Sequence, residues 1–221
     1  MKTLITFLSL LAAFPAVVHA VPQPAVDWNG SQATFFSDND GPFTLGFRFR
    51  ADSDLTVTSL GAFDYLGDGL ATAHMIGIWS LSGGEPLAVA TVPAGSGAPL
   101  LGAFRYAAIS DLTLSANTEY IIGASDFYGA VLDIYPYLPQ GFSTAPGVTF
   151  LAERETAGGA AGLVFPDDDE IIDGGAPLAA NFQYVVVPEP SGCLLLCTGF
   201  ALVFTFRRRQ CDGWPNDALQ P

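Results

Sequence analysis

The stretch TLGFRFR, residues 44–50, decides the fold class. Leu45, Phe47 and Phe49 alternate with glycine and arginine, so the three apolar side chains fall on one face of an extended chain. The two arginines fall on the opposite face. A period of two is typical of a strand that packs one face on a core and turns the other to water, as in antiparallel sheets.

Strand-like runs of this kind recur along the chain between turns rich in Gly, Pro and Asp. Within Thr56–Tyr65 the alternation is less regular, and Val57, Ser59, Gly61 and Phe63 are predicted to share a face. With no helical period between the runs, we predict an all-β, antiparallel β-sandwich of the jelly-roll type, with a closed barrel as the alternative. The predicted strands are Thr44–Arg50, Thr56–Tyr65, His74–Leu81, Pro86–Val92, Gly102–Ile109, Glu119–Ser125, Val131–Tyr135 and Ala179–Val187.

The charge of this central region restricts its partners. Residues 21–190 carry 20 acidic residues against four arginines and no lysine, a net charge of −16. Such a surface repels phosphate backbones and anionic lipid head groups, so nucleic acid is not an expected partner. Solubility is the simplest explanation of the charge.

Cysteine is confined to the C-terminal part, at Cys193, Cys197 and Cys211. The body, residues 21–187, is therefore predicted to fold without disulfides. Thiol catalysis and cysteine-ligated zinc are excluded there for the same reason.

Residues 1–20, MKTLITFLSLLAAFPAVVHA, have the organisation of a secretion signal. Lys2 supplies a positive n-region, and the apolar stretch Leu4–Phe14 is of signal-peptide length. Val18-His19-Ala20 fits the small-x-small pattern that signal peptidase cleaves. We expect an exported protein whose mature chain begins at Val21.

The C-terminal part contains an uncharged apolar run, residues 191–206. As a helix it would span about 24 Å against a hydrocarbon core of about 30 Å, a gap that bilayer thinning can close. We predict a single transmembrane helix there. Arg207, Arg208 and Arg209 place the following tail, residues 207–221, in the cytoplasm, and the acidic body therefore lies on the outer, periplasmic side.

The junction between body and apolar run carries a short motif, comprising Val187, Pro188, Glu189, Pro190 and Ser191. Together with the apolar run and the arginine cluster it resembles the PEP-CTERM sorting signal of Gram-negative bacteria. The resemblance implies recognition by a membrane-embedded exosortase, which removes the tail and passes the protein to the cell surface or extracellular matrix. The two prolines favour the extended backbone that a protease requires. Tails of that family usually stop soon after the basic cluster, whereas this one continues to Pro221, which leaves processing open.

Three stretches of the body share a pattern of strands and turns: GFRFRADSDLTVTSLGAFD at 46–64, GIWSLSGGEPLAVATV at 77–92 and FRYAAISDLTLSANTEYIIGA at 104–124. Together they are similar to the extracellular DUF4082-like β-sandwich domains. The resemblance implies a β-sandwich in a secreted setting beside adhesion or carbohydrate-active modules. It implies no activity for the domain.

Catalytic patterns are weak in this sequence. His74 is the one histidine that follows the signal peptide, so a Ser-His-Asp triad would have to use it, and no Gly-x-Ser-x-Gly turn supplies a nucleophile. A structural role is the simpler prediction for His74. Carboxylate pairs could serve a glycosidase, but 20 acids give no reason to select one pair.

Calcium is the candidate cofactor, at the acidic turns that hold Asp38, Asp40, Asp64 and Asp68. The run 167–170 is a third oxygen-rich stretch. None of these turns has the spacing of an EF-hand loop, and solvated turns explain them equally well.

Trp28 and Trp79 are the candidate sugar-stacking residues, although the strand context of Trp79 favours core packing. Our leading functional hypothesis is a non-catalytic envelope or matrix protein for adhesion, surface display or exopolysaccharide association. A carbohydrate-binding module is the alternative, and a secreted hydrolase of unknown substrate is a further one.

Overall fold

The computed structural model describes residues 21–28, 34–36, 42–127, 133–137, 141–156, 162–168 and 178–187. The predicted signal peptide, the motif from Pro188 to Ser191, the predicted transmembrane helix 191–206 and the tail 207–221 lie outside these ranges. In the ranges just given, no helix is long and apolar enough to cross a membrane.

Strands dominate these ranges, and the only helical element is a single 3-10 turn, Tyr65–Gly67. The strands are β1 (Gln23–Pro24), β2 (Val26–Trp28), β3 (Thr34–Phe36), β4 (Phe43–Ala51), β5 (Leu55–Phe63), β6 (His74–Ser80), β7 (Ala88–Val92), β8 (Leu100–Leu101), β9 (Phe104–Leu114), β10 (Thr118–Phe127), β11 (Tyr135–Tyr137), β12 (Phe142–Thr144), β13 (Val148–Glu155) and β14 (Ala180–Val186).

Two five-stranded antiparallel sheets form the body. The first sheet has the order β1-β14-β5-β9-β8 and the second has the order β13-β4-β10-β6-β7. The short strands pair separately, β11 with β3 and β12 with β2. The prediction of an all-β antiparallel fold is confirmed, and the arrangement is that of a β-sandwich. The barrel alternative does not describe it, because the strands fall into two separately hydrogen-bonded sheets.

In the core between the sheets, aromatic rings pack among a larger number of aliphatic side chains. Phe49 of β4 meets Phe182 of β14 with ring centroids 4.8 Å apart. Leu45, Phe47 and Phe49 are all fully buried, while Arg48 is only partly buried, which confirms the predicted alternation of β4. Full burial of each such side chain contributes about 1.5–3 kcal/mol to folding.

The predicted face of β5 is wrong at Ser59, which lies outside the core, although Val57 and Phe63 are core residues as predicted. Leu55 and Val57 point into the core, but the pairing of β5 with β9 shifts register between Val57 and Ser59. Such an irregularity reverses the alternation, and Leu60 and Ala62 become core positions. Ser59 is accordingly absent from the core.

Most predicted strands lie within about two residues of observed ones at each end, apart from β9, which continues past Ile109 to Leu114. The prediction of Val131–Tyr135 is wrong in its described part, because the strand there is Tyr135–Tyr137 and pairs with β3. Strand β13 was not predicted. Its charged Glu153 and Arg154 are both buried, and a register shift in its pairing with β4 breaks the alternation.

Three glycines form a row across the second sheet. Gly46 of β4 lies opposite Gly123 of β10, and Gly123 lies opposite Gly77 of β6. A β-carbon on Gly46 would lie 1.8 Å from the carbonyl oxygen of Ile122, a contact that side chains do not make. The neighbouring strands can therefore adopt this approach only with glycine at 46.

Residues 162–168, which we call the strap, cross the outer face of the second sheet over this row. The backbone N–H of Gly162 donates to Asp126 Oδ1 at 3.0 Å, and that of Val164 donates to Thr44 Oγ1 at 3.1 Å. A β-carbon on Gly123 would lie 3.3 Å from Cγ of Pro166. The glycine row thus makes room for the strap.

Trp79 is buried by the strap and not by the main core. Its neighbour Ile78 faces the main core, so Trp79 points to the outer face of the sheet. There its indole meets the ring of Phe165 edge to face, with centroids 5.9 Å apart, and only 2% of Trp79 remains exposed.

The sandwich has two distinct ends. At the first, which we call the loop end, β5 finishes and β6 begins, and loops 64–73 and 93–99 connect the sheets. At the opposite end lie the β4–β5, β6–β7 and β9–β10 turns. Val186, the last residue of β14, pairs with Leu55, so the chain leaves the sandwich at the opposite end.

Candidate functional site at the loop end

Two loops meet at the loop end. Loop 64–73 joins β5 to β6, and loop 93–99 joins β7 to β8. Two backbone hydrogen bonds between Leu70 and Gly95, with N···O distances of 3.3 and 2.7 Å, hold the loops together. Each loop runs from one sheet to the other, so their contact ties the sheets at this end.

Arg105 of β9 lies beneath these loops and is 4% exposed. Its Nε donates to Oδ2 of Asp64 at 2.5 Å. Its Nη1 donates to the carbonyl oxygens of Ser96 and Ala98 at 2.9 and 2.8 Å, and its Nη2 donates to that of Gly67 at 2.9 Å. We call this set the arginine clamp, because one guanidinium connects both loops to β9.

The clamp is an ion pair shielded from water. Asp64 is 2% exposed, and its two carboxylate oxygens also accept the backbone N–H of Gly69, each at 3.2 Å. A buried ion pair gains little net stability over an apolar pair, but removal of one partner leaves a buried charge without compensation. The clamp therefore specifies the loop conformation more than it adds to total stability.

A second buried pair holds the far end of loop 64–73. His74 is fully buried, its Nδ1 lies 2.7 Å from the carbonyl oxygen of Ser125, and its Nε2 lies 2.9 Å from Oδ2 of Asp133. The ring stacks on Phe127 with centroids 4.1 Å apart. A carbonyl only accepts hydrogen bonds, so Nδ1 carries a proton.

Asp133 links this pair to the loop backbone. Its carboxylate accepts the N–H groups of Ala71 and Thr72 at 2.9 and 3.0 Å. Burial opposes its ionisation, but the hydrogen bonds from His74, Ala71 and Thr72 outweigh that effect and hold the pKa of Asp133 below its ordinary value. Loop 64–73 is thus fixed by the clamp at its start and by His74 and Asp133 at its end.

Ser125, His74 and Asp133 are neighbours, yet they do not form a catalytic triad. The imidazole contacts the backbone carbonyl of Ser125, whereas the Ser125 hydroxyl donates to Asp126 at 2.8 Å and accepts the N–H of Met75. Ser125 and His74 are both fully buried, which leaves no space for a substrate. The geometry agrees with the predicted structural role of His74.

Above the clamp the loops present an apolar surface, which we call the tip patch. It consists of Tyr65, Leu66, Leu100 and Leu101, which are 38%, 78%, 43% and 45% exposed. Leu100 lies against the 3-10 turn, since a β-carbon on Gly67 would be 2.9 Å from its Cδ2.

Leu66 also has an unusual backbone conformation, with φ of 64°. A leucine in the left-handed region costs about 1–2 kcal/mol and persists only where neighbouring contacts impose it. Here the Gly67 N–H closes a turn around Leu66 by donating to the Asp64 carbonyl oxygen at 3.1 Å, and Arg105 holds the Gly67 carbonyl. Strained, exposed apolar residues on a fixed loop are typical of a binding surface.

The predicted calcium ligands are not brought together in the described part of the chain. Asp38 and Asp40 lie outside it. Asp64 is engaged by Arg105, while Asp68 follows the 3-10 turn and is exposed. The described ranges contain no group of three His, Cys, Asp or Glu side chains placed to hold a metal ion.

The two candidate sugar-stacking residues lie apart from the tip patch. Trp79 is covered by the strap, so its ring offers no free face. Trp28 is partly buried and packs against Phe63, with ring centroids 5.8 Å apart. The exposed aromatic residue of the tip patch is Tyr65, which the sequence patterns did not single out.

A shallow groove of about 680 Å³ lies at the opposite end, between the β6–β7 and β9–β10 turns. Its one ionisable acid is Glu119, which lies 3.9 Å from Arg48 on the neighbouring strand. The lining residues are Ser80, Leu81, Ser82, Asn117, Thr118, Glu119 and Tyr120.

Comparisons of the chain with protein-family models, with curated proteins and with solved structures each find no match. The resemblances to PEP-CTERM signals and to DUF4082-like domains stay predictions.

The arginine clamp predicts a specific pattern of unfolding energies. Arg105→Met leaves the Asp64 carboxylate buried without its cation, and we expect a loss of about 3–5 kcal/mol in the free energy of unfolding. The double variant Asp64→Leu/Arg105→Met removes both charges and should cost less than the sum of the single changes. Urea unfolding measures all three variants. A loss below about 0.5 kcal/mol for Arg105→Met would show that the clamp is not a structural constraint.

The depressed pKa of Asp133 predicts a pH-dependent contribution to stability. Because the folded-state pKa lies below the ordinary value of 3.8, ionised Asp133 stabilises the fold above that pH, and the contribution is lost as pH falls through the folded pKa. Asp133→Asn should therefore be less stable than the parent at neutral pH, with a difference that narrows in acid. Urea unfolding over a pH series measures it, with exposed Asp111→Asn as the control for loss of one charge. A difference that is constant with pH would contradict this assignment.

Proposed function

We propose that this protein is a non-catalytic, exported domain of the cell envelope or extracellular matrix, and that the tip patch is its contact surface for adhesion or exopolysaccharide association. One observation carries the proposal. The buried ion pair Arg105–Asp64 and the hydrogen-bonded pair His74–Asp133 fix loop 64–73 in a conformation that exposes strained Leu66. A preorganised loop loses little conformational entropy on binding, which favours affinity.

Charge and surface chemistry indicate the kind of partner. With a net charge of −16, residues 21–190 disfavour anionic polymers. The tip patch itself contributes three leucines and a tyrosine, and Asp64 beneath it is paired with Arg105. An uncharged polysaccharide or an apolar protein surface suits this combination.

The sorting signal is part of the proposal. A secretion signal at 1–20 and a PEP-CTERM-like tail at 187–209 would carry the body across the membrane and deliver it, through exosortase, to the surface or matrix. The chain leaves the sandwich beside Leu55, at the end opposite the tip patch. The point of attachment and the proposed contact surface are thus separated by the length of the sandwich.

The strand order supports the finer prediction of a jelly roll. One sheet contains β1, β14, β5 and β9 in that order, and the other contains β4, β10, β6 and β7. This is how the eight strands of two Greek keys are distributed in a jelly roll. Strand β13 then extends one edge, and β8 forms a short hairpin with β9. Jelly rolls occur in lectin domains, which suits a binding role without requiring one.

A carbohydrate-binding module is the second candidate, and exposed Tyr65 favours it. Tyrosine offers a flat ring with a hydroxyl, the chemistry that stacks on a sugar and hydrogen-bonds to it. Trp28 and Trp79 are less suited to that role, because one packs on Phe63 and the other lies beneath the strap. We do not propose the hydrolase alternative, since no observation favours it.

Binding of the exported protein to exopolysaccharide from the producing cell tests the tip patch. Leu66→Asn removes the exposed apolar side chain while tolerating positive φ, and we expect at least about a tenfold loss of affinity, equal to about 1.4 kcal/mol. Leu81→Asn, at a residue 43% exposed in the opposite-end turn, is the matched control and should bind like the parent. Equal binding by both variants would exclude the tip patch as the contact surface. Competition by free sugars would favour the carbohydrate-binding candidate over protein adhesion.

The intact mass of the protein recovered from its native host, with its cell fraction, tests the sorting. We expect a mass that lacks residues 1–20 and the residues after the motif, found at the cell surface or in the matrix. A membrane-bound protein that retains Arg207 to Pro221 would contradict processing by exosortase and indicate a single-pass anchor.

A further inference from the structure

The strand edges of the two sheets differ in how they are protected from pairing with other chains. Exposed edge strands invite such pairing, and proteins limit it with short strands, proline, charges, bulges or covering segments. In the first sheet, edge strands β1 and β8 have two residues each, and β1 contains Pro24. Beyond β8, the edge of this sheet is formed by β9. The pairing of β9 with β5 shifts register between Ala108 and Leu112, and β9 carries the charged Asp111 there. That sheet is therefore protected on both sides.

The second sheet is protected on one side only. Its β13 edge carries Glu153, Arg154 and Glu155. The strap also covers it, since Glu155 and Asp168 exchange backbone hydrogen bonds at 3.3 and 3.1 Å. At the other side lies β7, Ala88–Val92, whose sequence AVATV contains no charge and no proline. Among the described residues β7 pairs with β6 alone.

Apolar side chains continue around the β7 edge on the outer face of the sheet. Val89 is 41% exposed and Leu87, just before the strand, is 47% exposed. Met75, on the adjacent strand opposite Thr91, is 38% exposed. A strand added at this edge would bury part of these side chains as well as pair the backbone.

Charge indicates what the partner is. Residues 21–190 carry a net charge of −16, so two copies of the domain repel each other over most of their surface. Residues 74–92, which contain β6 and β7, include two ionisable side chains, the buried His74 and Glu85, and neither lies in β7. A second copy that approaches through β7 therefore meets an uncharged edge, where the repulsion is smallest.

We propose that β7 pairs antiparallel with β7 of a second copy, about a two-fold axis through Ala90, and so joins two five-stranded sheets into one continuous sheet. In this register Val89 of one copy lies opposite Thr91 of the other, and the interface is self-complementary. The pairing leaves the tip patch of each copy uncovered, and two tips on one particle raise avidity for a repeating polymer. The proposal rests on the β7 edge and does not depend on what the tip patch binds.

A charge-reversal pair tests it. Val89→Glu/Thr91→Glu places like charges directly opposite each other across the proposed interface, whereas Val89→Glu/Thr91→Lys places opposite charges there. We expect the parent and the Glu/Lys variant to sediment as dimers that dissociate on dilution, and the Glu/Glu variant to sediment as a monomer. Analytical ultracentrifugation of the exported full protein measures this, and circular dichroism checks that each variant is folded.

Hydrogen exchange locates the interface. In the parent, amide exchange in residues 88–92 should slow as protein concentration rises, while exchange in the Glu/Glu variant should not depend on concentration. A monomeric parent at all concentrations would overturn the proposal. So would a Glu/Glu variant that dimerises as well as the parent, because association would then use another surface.

Discussion

The arginine clamp is the constraint on which the loop end depends. A single guanidinium, buried beneath two loops, supplies hydrogen bonds to one carboxylate and three backbone carbonyls. Backbone carbonyls in loops lack ladder partners, and a buried one without a partner is costly. Arg105 meets that requirement for both loops at once, so their conformations are coupled. The exposed leucines above it are therefore held in place by a guanidinium that is itself buried.

The His74–Asp133 pair applies the same physics at the other end of loop 64–73. Both pairs place a basic side chain from a strand against a carboxylate outside the strands, and in both the carboxylate also accepts loop amides. Buried polar pairs of this kind contribute specificity more than net stability. Apolar packing between the sheets supplies the stability, and the two buried pairs determine which loop geometry accompanies it.

The sequence predicted the sheets well and this site poorly, for physical reasons. Alternation identifies strands such as β4, because one face is buried and the other is wet over several residues. It fails in β5, where a register shift exchanges the buried and exposed positions. It also fails in β13, where a register shift occurs and a covering segment buries charged residues. Arg105 could not be recognised as a clamp, because its partners lie 7 to 41 residues away along the chain and most are backbone carbonyls. Trp79 was correctly expected to be buried, but no local pattern shows that the strap covers it.

The placement of the basic residues has a consequence for resistance to proteases. Residues 21–190 contain four arginines and no lysine. All four lie inside strands, Arg48 and Arg50 in β4, Arg105 in β9 and Arg154 in β13. Proteases that cleave after basic residues act on accessible segments whose backbone is free to bind in their active site. A strand within a sheet has its backbone already paired with its neighbours. Trypsin-like enzymes can cleave at these arginines only after the strands open, so the folded domain should resist such enzymes.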